Sequence, residues 1–152
     1  MRSALLATRD DVTLFIARLA LGIVMFPHGA QKMLGWFGGP GFNGAMQFLH
    51  GMMHIPTPLA VLDPIAEFFG AIGLILGLFG RVAAFGIACV MVAAVALVHY
   101  PNGLFMNWTG QQRGEGVEFH ILAIALALIV MIGGSGAWSV DRALTEEPTI
   151  TV

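Results

Sequence analysis

His28 and Lys32 stand four residues apart in an otherwise apolar stretch that opens at Val12 and also carries Arg18. On a helix an i, i+4 pair shares one face, and at about 100° per residue Arg18 falls about 80° from His28, inside the same broad stripe. Asp63 and Glu67 repeat that spacing in a second apolar stretch, and His99, Glu118 and His120 complete the set. Histidine exchanges protons near neutrality, a buried carboxyl group can hold a proton, and lysine or arginine can hold negative charge. Such groups beside an apolar slot suit proton-coupled redox chemistry at a membrane. The candidate catalytic residues are therefore His28, Glu67, His99 and Glu118, with Arg18 and Lys32 as cofactor-binding charges and no metal ligands.

Each of these residues also has a plainer explanation. An ionisable group at mid-membrane costs about 2.5–3.5 kcal/mol on insertion scales, so each one predicts a partner, a wet cavity or an escape to the surface. Arg18 can snorkel to the headgroups. Glu67 is the hardest to excuse, because an acid near the middle of a span cannot easily do so; it is expected to pair with Arg18, Lys32 or a histidine from another helix. Glu118 and His120 lie about 200° apart on one helix, so one of them faces lipid headgroups or the loop.

The elements that must position these residues follow from hydropathy. At 152 residues the chain has the length of one domain, with 57% hydrophobic and 11% charged residues and a mean hydropathy of +0.83. Those values predict a membrane protein. A net charge of -2 excludes nucleic acid as a partner. The single cysteine, Cys89, rules out a disulfide framework or thiol relay within one chain and reads as a packing residue. Spans of about 20 apolar residues are predicted near 12–34, 58–80, 81–100 and 117–138, in one membrane domain covering 1–152. The first is too long for a signal-peptide core and lacks a small-residue cleavage site, so it is expected to be retained.

The expected fold is all-α: a four-helix antiparallel transmembrane bundle. The tight connection around Gly80-Arg81 forces the second and third spans into a hairpin. Arg2, Arg9, Arg81 and Arg142 then gather on one side, against Arg113 and at most Lys32 on the other, which predicts both termini in the cytoplasm. Between the first two spans, "GWFGGPG" ends a helix, and Phe42, Ala45, Met46, Leu49, Met52 and Met53 follow at helical spacing. A short interfacial helix is predicted at 42–53, with His50 and His54 on its solvated face rather than on a metal. Gly73 and Gly77 have the small-xxx-small spacing of close helix approach. The tail after Leu144 reads as a short polar end.

The order "RLALGIVMFPHGAQKMLGWFGGPG", "AEFFGAIGLILGLFGR", "LVHYPNGLFMNW" and "GEGVEFHILAIALALIVMIGGSG", with "WSVDRAL" after it, resembles the DoxX family of small four-helix membrane proteins. The likeness runs over about 12–144. It implies Arg18, His28-Gly29, Gln31-Lys32, Glu67, His99, Asn102-Gly103 and Glu118 as the matching positions. It further implies a bacterial-type inner membrane and a link to thiosulfate oxidation with quinone reduction or to membrane oxidoreductase complexes.

Three functions compete on these grounds. The first is a subunit of a membrane oxidoreductase system, with a quinone as its cofactor, a partner redox protein as its electron source and a polar site in the outer half of the bundle. The second is a non-catalytic scaffold or partner-binding subunit, alone or as an oligomer; the third is a small proton-linked transporter. No Gly-rich nucleotide fingerprint suggests flavin or NAD, and haem held between His28 and His99 is the least favoured cofactor.

Overall fold

The structure, a computed structural model, describes residues 4–145; Arg2 and the polar tail beyond 145 lie outside the described residues. Among those described there is helix and loop but no strand. Helix α1 spans Val12–Leu34, opened by Asp11, whose carboxylate accepts from Thr13 N at 2.7 Å, and closed by Gly35 in the left-handed region. Helix α2 is Gly41–Met46, and it continues through a π-helical turn, Gln47–Met52. Helix α3 is Thr57–Leu76 and α4 is Gly80–Ala94, which widens into a second π-helical turn at Val95–His99. Pro101 and Gly103, with φ +83°, end that run. Helix α5 is Glu118–Gly133 and α6 is Val140–Thr145.

Three segments are long and apolar enough to cross a membrane: Val12–Leu34, Thr57–Leu76 and Gly80–Asn102. The fourth, Glu118–Gly133, is apolar but only 16 residues long, because Gly134 leaves helical geometry at φ +90°. The expected span 58–80 also stops early. Gly77 adopts φ +66° and closes α3 through bonds to Gly73 O and Leu74 O.

Helix α1 packs on α3 and α5, and α4 packs on the same two, so the four close a ring. Its core is small and apolar: Ala17, Leu21 and Met25 face Ala71, Leu74, Ala84, Ile87, Ala127 and Val130. Without a hydrophobic drive inside lipid, small side chains gain contact by letting backbones come close. The closest seam is on α1. A Cβ on Gly29 would sit 2.5 Å from the Phe68 backbone, and one on Gly22 would sit 3.0 Å from Ala71 O. Gly77, expected to serve a helix-helix seam, instead terminates α3 and leaves room for Ser139, 2.4 Å from where its Cβ would be.

One end of the ring is tied by polar groups. Arg18 is fully buried, and its guanidinium donates to five carbonyls: Leu74 and Ile75 at the end of α3, and Ser135, Ala137 and Trp138 beyond α5. It therefore does not snorkel, because carbonyls left over at the end of α3 and in the segment after α5 supply the acceptors that headgroups would otherwise have offered. Asp141 accepts from Phe79 N at 2.7 Å and Gly80 N at 2.9 Å, capping α4 from α6, and accepts from the Ser135 hydroxyl at 2.5 Å. Arg81 donates to Ala7 O, Met131 O and Ile132 O, and Arg142 meets Asp10. The chain start, the α3–α4 turn and the segment after α5 thus share one end.

Candidate functional site

Toward the other end, α1 delivers Lys32 to α3. Its Nζ lies 2.8 Å from Glu67 Oε1 and 2.7 Å from Asp63 Oδ2, so one ammonium bridges two carboxylates a turn apart. The pairing needs α1 and α3 close together, and Gly29 supplies that by admitting the backbone of Glu67 and Phe68 where a side chain would stand. Glu67 is 3% exposed and its Oε2 has no hydrogen-bond partner among the described residues. Lys32 and Asp63 keep part of their surface free, so the trio has a buried side and an open one.

The open side faces a cavity of about 450 Å³. Lys32, Asp63 and His99 are its ionisable lining, and the rest is nearly all apolar, with Phe48, Leu49 and Met53 from one element and Ala94, Leu97 and Val98 from another. Both π-helical turns, Gln47–Met52 and Val95–His99, contribute walls. A π turn inserts an extra residue per turn and re-aims the side chains around it, which is why such turns recur at sites. His99 Nδ1 lies 2.9 Å from Glu115 O. A carbonyl only accepts, so Nδ1 carries the hydrogen and Nε2 is left as the proton-accepting nitrogen.

A second cavity, of about 850 Å³, runs as a groove along α3 and α4 and shares Leu49, Ile55, Asp63, Ala93 and Leu97 with the first. A polar-ended chamber therefore continues into an apolar trough. That shape suits an amphiphile with a polar head and a hydrocarbon tail.

The residues expected to form one site are sorted by the fold into several places. Lys32 and His99 line the chamber, and Glu67 stands one ion pair behind it. Arg18 is at the opposite end with every donor engaged on backbone carbonyls, leaving none for a cofactor. Glu118 anchors a loop: its Oε1 accepts from Met106 N at 2.8 Å and Trp108 Nε1 at 3.3 Å. His120, more than half a turn away on the same helix, is the one turned inward, 5% exposed, with its ring 4.2 Å from that of His99. His28 stays exposed on the flank between α1 and α5, its ring 5.8 Å from Phe119, within electrostatic reach of Lys32 and His120. His50 is exposed with Nδ1 2.9 Å from Ile55 O, and among the described residues no group of three or more His, Cys, Asp or Glu could hold a metal.

Sequence reasoning passed over Asp63 and His120 as site members. The signal for Asp63 was present in its i, i+4 spacing to Glu67. For His120 it lay in the angular separation from Glu118, which kept the two from facing the bundle together without saying which of them faces away.

Apolar helices packed through alanine and glycine, with ionisable side chains paired inside and an apolar trough outside, define a helical integral membrane protein. The DoxX family model matches residues 13–100, and the chain belongs to the DoxX family. It is 30% identical over 150 residues to the uncharacterized membrane protein Rv3486 of Mycobacterium tuberculosis (strain ATCC 25618 / H37Rv), which covers 95% of this chain and 89% of that relative. It is 27% identical over 136 residues to the inner membrane protein YphA of Escherichia coli (strain K12), covering 86% and 89%. No solved structure matches.

Proposed function

We propose that this protein is a quinone-binding subunit of a membrane oxidoreductase system, built as a four-span antiparallel bundle in a bacterial-type inner membrane with both termini in the cytoplasm. The observation that carries the reading is the chamber lined by Lys32, Asp63 and His99 and continued by the trough between α3 and α4. The antiparallel arrangement is supported by the polar end at which the chain start, the α3–α4 turn and α6 are bonded together. Exposed Trp36, Tyr100, Phe105 and Trp108 at one end and Phe79 and Trp138 at the other suit two interfacial belts.

The residues present fit a quinone head. Lys32, held by two carboxylates, presents a fixed ammonium that can donate to one ring carbonyl. His99, with Nδ1–H held on Glu115 O, can carry a proton on Nε2 and donate it to the other carbonyl. Asp63 is open to the same chamber and holds Lys32 from that side, while buried Glu67 holds it from behind rather than touching the head. A bound quinone would supply a two-electron, two-proton acceptor, the electrons coming from a partner redox protein. The apolar walls exclude water from the head and strengthen each of these contacts.

The test is the quinone content of protein purified in mild detergent, set beside Lys32→Met and His99→Ala. About one quinone per chain in the wild type, lost in both variants, is the expected result. Quinone at the level of co-purifying bulk lipid in all three removes the reading.

A further inference from the structure

The trough along α3 and α4 points to how such a ligand enters. We propose that it holds a single hydrocarbon chain, the tail of the molecule whose head occupies the Lys32–Asp63–His99 chamber, which therefore arrives sideways from the bilayer. The inference rests on the quinone reading for the identity of the head, but the trough has its own evidence in shape.

Leu49, Ile55, Asp63, Ala93 and Leu97 line both cavities, so chamber and trough meet at one mouth. From that mouth the trough runs from Leu59 to Leu76 on α3, about 25 Å at the helical rise per residue. Its lining includes Gly70, Gly73 and Gly86, with Phe69 and Phe85 exposed beside them, and it reaches Phe79 at the α3–α4 turn. The trough is walled almost wholly by apolar side chains, and because it begins at the chamber's own mouth, an extended hydrocarbon chain attached to a head in the chamber lies along it.

A benzoquinone with a long isoprenoid-type tail ending in a diazirine, incorporated into phosphatidylethanolamine and phosphatidylglycerol nanodiscs holding the full chain, tests this directly. Photolabelling is expected to concentrate on Leu76, Phe79 and Val82 at the far end of the trough. Ala93→Trp at the mouth should lower that labelling at least tenfold. Cys89→Trp, halfway along, should weaken binding of the long-tailed probe at least tenfold more than binding of a tail-less benzoquinone. Label spread over the outer faces of all four long helices in the wild type overturns the proposal, and no variant need fold for that result to count. If the tail-less probe fails to bind while the tip label still concentrates at Phe79, the quinone reading falls and the trough stands.

Discussion

Lys32 on α1 and Glu67 on α3 meet at 2.8 Å, at the level where Gly29 brings the two backbones together. The ion pair and the glycine are one device: the first needs the approach that the second permits. Removing Glu67 leaves Lys32 with Asp63 alone and a buried side that no longer matches its charge. Glu67→Gln should fold, being nearly isosteric, and lose up to about 3 kcal/mol, measured by melting in detergent. The double variant Glu67→Gln, His99→Ala should in addition lose its quinone. Full quinone-linked activity in a well-folded double variant would leave the scaffold as the better account.

Gly29→Ala should cost about 1–3 kcal/mol, because its Cβ meets backbone that cannot move aside. Gly38→Ala provides the contrast. That glycine has φ +73° and nothing within 4 Å of its Cβ position, so only backbone strain of about 1–2 kcal/mol is at stake. Chemical unfolding separates the two through the chamber: Gly29→Ala should also weaken ligand binding, and Gly38→Ala should not.

Arg18→Lys keeps the charge but replaces five fixed donors by three on a flexible stem. Carbonyls at the end of α3 and in the segment after α5 are left without partners, and a loss of about 3–5 kcal/mol is expected. The folded fraction should still bind quinone normally. A selective loss of binding with unchanged melting would return Arg18 to the site.

Glu118→Gln keeps an acceptor oxygen for Met106 N and Trp108 Nε1, so activity and loop order should stay close to wild type. Glu118→Ala releases both donors, and limited proteolysis should then cut faster within 103–117. A collapse of activity in Glu118→Gln without faster cutting would mark Glu118 as chemically engaged after all.

Sidedness can be read with single cysteines in a Cys89→Ala background. Asn43→Cys and Gln111→Cys should react with an impermeant thiol reagent from outside intact cells, and Leu5→Cys should react only after the membrane is opened. The reverse pattern would invert the orientation.

The residue order by itself determined the membrane class, the all-helical fold and where α1 ends, because apolar length and the glycine-proline punctuation of "GWFGGPG" are local signals. It also placed the short helix after "GWFGGPG" and singled out Lys32, Glu67 and His99. Tertiary structure decided what those residues meet. Arg18 looked like a site charge because helical phase relates it to His28, yet phase cannot reveal that the carbonyls of α3 and of the segment after α5 converge around it. Glu118 and His120 could not be told apart until the fold placed α5 and its loop, and Gly77 could not be known as a terminator until Ser139 and Arg18 took the space beside it. Which donors find which acceptors across helices is set by packing between segments far apart in the chain, and spacing along one helix carries no record of it.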